Sequence, residues 1–335
     1  MKLVTMLATT LFAGAAMACP TGTTLLAGET LNNKAVCGIG QNDPNTFATL
    51  SGNIALTNNF SYKLTGDVRI GGDNKDKGVL TIDAGTVIYG TKGSALIINR
   101  GSQIFANGTA QAPIVMTSIN SAPESKTAAV GGDWGGLTLI GNAVINTCAP
   151  DAANPSSCTN QIEGIDPKRA PMFGGQNDDD NSGSLSYVRS EYAGTILFAD
   201  SELNSITLYA IGRGTNIDHV EAYKGNDDGI EIFGGTVNIK YAAIIDNDDD
   251  GLDWDMGWRG MAQFVYILVQ HGAEKDTGGI EADNYKNGMD LLPRSNPTIS
   301  NVTIVGVPGN DLLLNGAILR NGTNAKIYNT TISGH

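Results

Sequence analysis

The sequence predicts an all-β fold: a single-stranded, right-handed parallel β-helix of roughly ten coils with long loop excursions. Three features of the 335 residues indicate this fold. One segment repeats with a fixed offset, short apolar strands recur at intervals of roughly 16 to 24 residues, and no long stretch combines helical periodicity with capping residues. The composition agrees, because 43 glycines supply turns and 41% hydrophobic residues can build a continuous core.

The internal repeat is the strongest of these features. Residues 216–235 align without a gap onto residues 238–257, an offset of 22 positions. In both copies an alternating apolar stretch meets an acidic turn ending in glycine and restarts as a second strand. Parallel coils stack about 4.8 Å apart, so each position lies above its counterpart in the previous coil. The offset therefore predicts three stacked acidic pairs: Asp227 with Asp249, Asp228 with Asp250, and Glu231 with Asp253.

Short strands outside the repeat extend the pattern. Leu80–Ile82 and Val87–Tyr89 are followed by Leu96–Ile98, and corners that begin with asparagine precede apolar strands further along the chain. Antiparallel hairpins would favour two-residue turns, and a propeller would need a period of about 40 residues. One coil per repeat accounts for the spacing better than either alternative.

The N-terminus predicts export. Lys2 precedes an apolar stretch at residues 3–15 and a small-residue cleavage site at residues 16–18. This stretch is too short to span a membrane and no later one is longer, so we expect a secreted or outer-surface protein without a transmembrane segment. The expected divisions are a signal peptide at 1–18, an N-terminal cap and lead-in segment at 19–60, and the β-helix at 61–335 with loops at about 147–183 and 271–297.

The four cysteines form an even set, which suits the oxidising compartment that export implies. We predict the disulfides Cys19–Cys37 and Cys148–Cys158, the second closing a short loop rich in proline, asparagine and serine. The alternative is a lipid anchor on Cys19, because bacterial lipoproteins are cleaved immediately before a cysteine. Against it, Ala16 stands where leucine is usual, and lipidation would leave Cys37 without a partner.

The charge limits the class of partner. A net charge of −13 and a pI near 4.5 argue against nucleic acid and against an anionic membrane surface, because both require a basic face. A polysaccharide or another surface protein is the partner that the sequence favours. The acidic residues are also concentrated in a few turns, which indicates either solvated loops or a bound hard cation.

Two acidic turns resemble the first half of a calcium loop, in which alternate oxygen ligands precede a glycine. One turn occupies residues 246–251 and the other residues 178–183. Neither turn has the second half of that loop or flanking helices, which excludes an EF-hand. The alternative is a purely structural role, in which Asp and Asn side chains cap tight turns. The candidate calcium ligands are Asp246, Asp248, Asp250, Asp253 and Asp228 for the first site, and Asp178, Asp180 and Ser182 for the second.

The candidates for catalysis are less specific. If the protein is an enzyme, Asp249, Asp253 and Asp255 are the candidate carboxylates. The candidate base is Arg259, with Lys275 and Arg294 as alternatives. Trp254 and Trp258 are able to stack on sugar rings, although Trp254 aligns with a core position and we expect it to fill the core while Trp258 is exposed. His219 is expected to be a surface or stacking residue. No zinc spacing, nucleophile elbow or phosphate-binding loop is present in the sequence.

Three segments resemble a family of secreted bacterial right-handed β-helix repeat proteins: residues 80–90, 131–137 and 226–238. The resemblance covers about residues 60–334 and implies the fold and an exported location. It carries no catalytic residues, since the family has no settled activity. Members of the family are often longer at the C-terminus, whereas this sequence stops within a strand pattern. We therefore expect an open parallel edge on the last coil, which invites pairing with another chain.

Two functional hypotheses follow from the sequence. The first is an exported, non-enzymatic surface or matrix protein, stabilised by calcium, with a role in adhesion, carbohydrate contact or assembly. The second is a calcium-dependent polysaccharide lyase or glycoside hydrolase. The first is favoured, because the residues do not form a complete catalytic set.

Overall fold

The computed structural model describes residues 18–40, 47–148, 158–198, 201–270, 277–307 and 315–335. In this part of the chain it contains 27 β-strands, a 3-10 turn at Ile119–Ser121 and no α-helix. The expected signal peptide lies outside the described residues except for Ala18. No helix in the described ranges is long and apolar enough to cross a membrane.

The strands are short and follow one another along the whole chain. In order they are β1 (Thr24–Leu31), β2 (Lys34–Gly40), β3 (Phe47–Leu50), β4 (Gly52–Leu56), β5 (Ser61–Thr65), β6 (Asp67–Ile70), β7 (Gly78–Ile82), β8 (Val87–Gly90), β9 (Ala95–Ile98), β10 (Gln103–Asn107), β11 (Ile114–Ser118), β12 (Leu137–Ile140), β13 (Asn160–Gln161), β14 (Met172–Phe173), β15 (Gly183–Glu191), β16 (Ile196–Phe198), β17 (Ser201–Glu202), β18 (Ile206–Tyr209), β19 (Asn216–Tyr223), β20 (Ile230–Phe233), β21 (Asn238–Ile245), β22 (Leu252–Asp255), β23 (Met261–Leu268), β24 (Ile280–Ala282), β25 (Thr298–Val305), β26 (Ile318–Leu319) and β27 (Lys326–Ser333).

Nearly all of these strands belong to two parallel sheets. Sheet A has 14 strands, and its main path runs β2-β5-β8-β11-β15-β19-β21-β23-β25-β27, with β1 added antiparallel to β2. Sheet B has nine strands in the order β26-β24-β22-β20-β18-β12-β9-β6-β3. The chain alternates between the sheets, so each coil contributes one rung to each. The fold is therefore the predicted parallel β-helix, and the ten rungs from β2 to β27 match the expected number of coils.

The register confirms the repeat. Asn216 lies opposite Asn238 on sheet A, and Ile230 lies opposite Leu252 on sheet B, so the offset of 22 residues is one coil. Parallel stacking begins at β2, inside the segment expected to be a cap, because β2 already pairs with β5. The expected loop at 271–297 contains β24, and its residues 271–276 lie outside the described part of the chain.

Sheet A bends along a single file of residues. In the first coils this bend separates β4, β7 and β10 from β5, β8 and β11; from β15 onward one long strand crosses it. One residue per long strand adopts a left-handed conformation there, with φ between 47° and 59°. Such a conformation is unusual for residues other than glycine, so its repetition marks a constraint of the coil. The file consists of Tyr187, His219, Tyr241, Phe264, Asn301 and Asn329.

The core lies between the sheets and is filled by aliphatic side chains from both. Trp254 is fully buried, as predicted. The prediction that Trp258 is exposed was wrong: this residue is also fully buried, 5.5 Å from Trp254 between ring centroids, and its indole N–H donates to the Val237 carbonyl oxygen. That hydrogen bond satisfies the polar atom of the ring, which lets the large side chain enter the core.

A second apolar cluster covers part of the outer face of sheet B. The long loop between β12 and β15 folds back over this face, as in the packing of Phe173 against Tyr209 with ring centroids 4.8 Å apart. The loop contributes Ile145, Ile162, Ile165 and Phe173, and sheet B contributes Ile97, Ile140, Tyr209 and Phe233.

Both predicted disulfides are present. Cys19 is bonded to Cys37 and Cys148 to Cys158, and the described part of the chain has no free cysteine. The first bond leaves no thiol for the alternative lipid anchor on Cys19. Residues 149–157, which the second bond encloses, lie outside the described residues. Disulfides are consistent with an exported protein.

A core substitution tests this packing. Leu208 is fully buried in β18, so Leu208→Ala should lower the free energy of unfolding by about 2–5 kcal/mol through lost burial and a cavity. Leu25 is 46% exposed, and Leu25→Ala should change this free energy by no more than about 0.5 kcal/mol. Urea unfolding of both variants measures the difference. Equal effects would contradict the assignment of the core.

Candidate functional site

A file of acidic side chains runs down the outer face of sheet B. Because side chains alternate along a strand, Ile230 and Ile232 enter the core and Glu231 between them points outward. The next two coils place Asp253 and Glu281 at the same position, so three carboxylates stack in register. The stacking of Glu231 on Asp253 is the pairing that the repeat predicts.

The turns that precede β20 and β22 bring further carboxylates to this file. Asp228 is buried, and its Oδ1 accepts a hydrogen bond of 2.9 Å from the backbone N–H of Asp250 in the next coil. Two groups of carboxylates have oxygen atoms within 4.8 Å of one another, and they share Asp228. The groups are Asp227, Asp228 and Asp249, and Asp228, Glu231 and Asp253. We call these residues together the acidic cluster.

Neighbouring amides hold two of these carboxylates. Asn204 donates its side-chain N–H to Glu231, and its side-chain oxygen accepts the backbone N–H of Asp228 at 3.2 Å. One asparagine therefore fixes the strand residue and the turn residue relative to each other. In contrast, Oδ1 of Asp253 is buried and has no hydrogen-bond partner among the described residues. An unsatisfied buried carboxylate oxygen is costly unless a cation or a proton meets it.

The long loop over sheet B supplies another carboxyl group, which sequence reasoning missed. Glu163 donates its backbone N–H to the hydroxyl of Tyr209 at 3.3 Å, and its carboxyl group hydrogen-bonds to that of Glu231. Although Glu163 is exposed as a residue, desolvation of its carboxyl group raises its pKa. It is a single glutamate in a loop, outside any acidic run, so only the tertiary fold of the loop brings it to the cluster.

Burial dominates the electrostatics of the cluster. It raises the pKa values of Asp228, Glu231 and Asp253 well above their usual range, and neighbouring carboxylates add to the effect. Burial, with repulsion from Asp249, raises the pKa of Asp227 to about 8. Burial also raises the pKa of Asp255 to about 7, with Asp283 contributing. Without a cation, the cluster therefore holds protons at neutral pH.

The other predicted ligands of the first site are Asp246, Asp248 and Asp250. Asp246 is buried, and its Oδ1 accepts the backbone N–H of Gln270 at 3.1 Å. The backbone carbonyl of Asp248 accepts the hydroxyl of Thr277 at 2.8 Å. Asp250 is buried next to the cluster, where its charge contributes to the raised pKa of Asp253.

The turn predicted as the second calcium site makes contacts that anchor the long loop. Asp178 accepts two hydrogen bonds from Arg259, at 2.8 and 3.0 Å, and another from the backbone N–H of Val144. Burial opposes the ionised form of Asp178, but the hydrogen bonds from Arg259 prevail and lower its pKa. Oδ2 of Asp180 accepts the backbone N–H of Asn142 at 2.9 Å, and Ser182 is buried. A guanidinium therefore occupies the place that a cation would need at Asp178.

This pairing also shows the surroundings of a residue predicted as a candidate base. The guanidinium group of Arg259 donates hydrogen bonds to Asp178 and to the carbonyl oxygen of Val144. The cationic side chains that border the acidic residues are Lys286, whose charge lowers the pKa of Glu163, and Arg320, which pairs with Glu281 and Asp283. The sequence pattern alone does not single out either residue.

Comparison with known proteins places the chain in a family. The model of the pectate-lyase-like β-helix domain matches residues 48–335. The chain belongs to the pectate-lyase-like β-helix family. Among solved structures, the pectate-lyase-like chain is similar to the periplasmic alginate epimerase AlgG, with 11% sequence identity, a TM-score of 0.27, and coverage of 90% of this chain and 85% of the epimerase chain. No curated protein sequence matches it.

The raised pKa values predict the pH dependence of stability in the absence of calcium. Asp227 and Asp255 have pKa values of about 8 and about 7 in the folded chain, whereas aspartate in an unfolded chain ionises near pH 4. The folded state therefore binds more protons in this window, and its stability falls as the pH rises from about 4 to about 8. In EDTA, the thermal midpoint should be higher at about pH 5 than at about pH 8.

Two controls belong to this experiment. Asp227→Asn and Asp255→Asn should each flatten the slope, because an amide does not titrate. Asp178 and Asp218 have lowered pKa values, so their ionisation changes stability only at more acidic pH. They do not affect the slope between about pH 5 and about pH 8. A midpoint that rises between pH 5 and pH 8 would contradict the account.

Proposed function

We propose that the protein is an exported, non-enzymatic surface or matrix protein that binds calcium at the acidic cluster and uses the loaded face in carbohydrate contact, adhesion or assembly. One observation carries the proposal: oxygen atoms of Asp228, Glu231 and Asp253 lie within 4.8 Å of one another on adjacent coils. Asp228 and Asp253 are two of the ligands expected from the sequence, and Glu231 joins them from the same stack.

The spacing of these oxygens suits a calcium ion. Calcium takes oxygen ligands at 2.3–2.6 Å, so two oxygens bound to one ion lie at most about 5 Å apart. The carboxylates of the cluster meet that limit, and the unpartnered Oδ1 of Asp253 offers a buried ligand atom. The donor set consists of oxygen alone, which favours a hard cation over zinc or copper. Calcium also tolerates an irregular shell, whereas magnesium demands near-octahedral geometry.

The cation would stabilise the coil stack at the acidic cluster. Three carboxylates in one small volume repel one another, and each is disfavoured by burial. A divalent ion lowers their pKa values, replaces the bound protons and ties β20 to β22. Because calcium takes six to eight ligands, a carboxylate or hydroxyl of a bound polysaccharide can complete its coordination shell. This is how the site would contribute to carbohydrate contact.

Calcium binding is measured directly by isothermal titration at about pH 8. The wild-type chain should release protons on binding, and its thermal midpoint should rise with calcium, since a ligand at 100 times its dissociation constant stabilises by about 2.7 kcal/mol. Asp253→Asn and Glu231→Gln should weaken binding at least about tenfold. Asp290→Asn is the matched control, because the side chain of Asp290 is 96% exposed and lies outside the cluster. Unchanged midpoints on adding calcium or EDTA would remove calcium from the proposal.

The second candidate is a calcium-dependent polysaccharide lyase or a glycoside hydrolase. The observation in its favour is the pair of carboxyl groups of Glu163 and Glu231, which meet from the loop and the sheet. A carboxyl group kept protonated near neutral pH can act as a general acid, and the pKa of Asp255, about 7, lies in that range. Asp249, Asp253 and Asp255 remain the other candidate carboxylates.

A panel of acidic and neutral polysaccharides tests this candidate. Unsaturated products detected by absorbance would indicate a lyase, and new reducing ends a hydrolase. Activity lost in Glu163→Gln while calcium binding persists would establish the enzyme and overturn the non-enzymatic proposal. Absence of products across the panel, with calcium binding intact, would leave the first proposal standing.

A further inference from the structure

The carboxylates of the acidic cluster are arranged around two points rather than one. They fall into two groups of three, within each of which the oxygen atoms lie within 4.8 Å of one another. We call Asp228, Glu231 and Asp253 the inner group, and Asp227, Asp228 and Asp249 the outer group; Asp228 alone belongs to both. Two oxygens bound to one calcium ion lie at most about 5 Å apart, so two separate groups indicate two ion positions.

The two groups occupy different parts of the coil. The inner group lies mainly on the strands, where Glu231 of β20 stacks on Asp253 of β22. The outer group lies in the turns that precede these strands, where the offset of one coil places Asp227 beside Asp249. Asp228 and Glu231 are buried, whereas Asp227 and Asp249 are partly exposed. The inner point is therefore the more enclosed, and the outer point is in contact with solvent.

Basic side chains do not neutralise these carboxylates. In the described part of the chain, the ion pairs with lysine, arginine or histidine include none of Asp227, Asp228, Glu231 and Asp253. Oδ1 of Asp253 is also buried without a hydrogen-bond partner among those residues. Buried carboxylates are stable when they are paired or bind a metal. One divalent ion in the inner group would leave the repulsion between Asp227 and Asp249 in place.

We infer that the acidic cluster holds two calcium ions, one in each group, with the carboxylate of Asp228 bridging them. The inference rests on the proposed binding of calcium and adds the second ion. Asp228 suits a bridge because its position is fixed: its Oδ1 accepts the backbone N–H of Asp250, and its own backbone N–H is donated to the side-chain oxygen of Asn204. A carboxylate offers about four lone-pair sites, so one hydrogen bond leaves sites for both ions. A bridging carboxylate also reduces the repulsion between the two cations.

The two ions have different roles in this arrangement. The inner ion binds Glu231 and Asp253 and so joins β20 to β22, which is a structural role. The outer ion lies between the partly exposed Asp227 and Asp249, so water molecules complete its shell of six to eight oxygens. A hydroxyl or carboxylate of a bound polysaccharide can replace those water molecules. The outer ion is therefore the point at which the proposed carbohydrate contact occurs.

Isothermal titration of the calcium-free full chain with calcium, at about pH 8, measures the number of ions bound. The wild type should bind two ions per chain. Asp249→Asn removes a ligand of the outer ion alone and Asp253→Asn a ligand of the inner ion alone, so each variant should retain one ion. Asp228→Asn should weaken both binding steps at least about tenfold, because this residue contributes to both shells. Asp290→Asn is the control and should bind two ions, since the side chain of Asp290 is 96% exposed outside the cluster.

Circular dichroism and the thermal midpoint in EDTA establish that each variant is folded. One ion bound by the wild type, lost in Asp253→Asn and unchanged in Asp249→Asn, would overturn the second ion and leave the proposed calcium function intact. Two ions that persist in all three cluster variants would lie elsewhere on the chain, which would also overturn the inference. Absence of calcium binding by the folded wild type would instead refute the calcium part of the proposed function, and the inference with it.

Discussion

Stacking of parallel coils in register is the constraint on which the rest of this structure depends. Each residue lies about one strand spacing from its counterpart in the coil above and the coil below, so chemically similar residues collect in files. A file of aliphatic side chains gains from this arrangement, because it buries apolar surface continuously. A file of carboxylates loses by it, because like charges are held together where burial also opposes ionisation. The acidic cluster on sheet B and the row of rings on sheet A arise from the same geometric rule.

The outer face of sheet B shows how the chain limits the unfavourable stacking of buried carboxylates. Its middle strands, β9, β12, β18 and β20, are covered by the long loop, whose apolar side chains pack on them. The loop is tied down by Asp178, which binds Arg259 from 81 residues further along the chain. The acidic residues begin at the edge of the covered region. There the carboxyl group of Glu163 in the loop hydrogen-bonds to that of Glu231. A cation at this border would join two coils and compensate charges that the stacking forces together.

Sheet A resolves the same constraint differently. Its long strands must bend at one position in each coil, and residues other than glycine adopt a left-handed backbone there. Stacking of the rings offsets part of that strain, because each aromatic residue has a ring above or below it. In the last two coils asparagine takes the position, which tolerates this conformation readily. The bend therefore produces an ordered row of stacked rings, of which Tyr241 and Phe264 are exposed.

The sequence was sufficient for those features that depend on local pattern and on the repeat. The offset of 22 residues predicted the register, the stacking of Glu231 on Asp253 and the burial of Trp254, because all three follow from one coil lying on the next. It could not predict contacts made by excursions. Arg259 was expected to be a base and Asp178 a calcium ligand, yet the loop brings them together as an ion pair.

Two other features depended on information that no short segment carries. Trp258 follows the aligned strand, and whether it turns inward is decided by a carbonyl of the neighbouring coil. The sequence predicted His219 as a surface or stacking residue, and its ring stacks between those of Tyr187 and Tyr241. The extent of the stack, from Tyr187 to Phe264, follows from the bend in sheet A, which no short segment reveals. Local periodicity therefore predicts which residues stack on one another in successive coils. The tertiary path of the loops and bends determines which other residues each stack contacts.

The most direct test of the central claim is a crystal structure of the full chain grown with millimolar calcium, with anomalous data collected to identify the ion. The account predicts a peak bounded by Asp228, Glu231 and Asp253, with at least one oxygen from each residue at 2.3–2.6 Å. Carboxyl groups in direct contact through shared protons, with no ion between them at that calcium concentration, would contradict it.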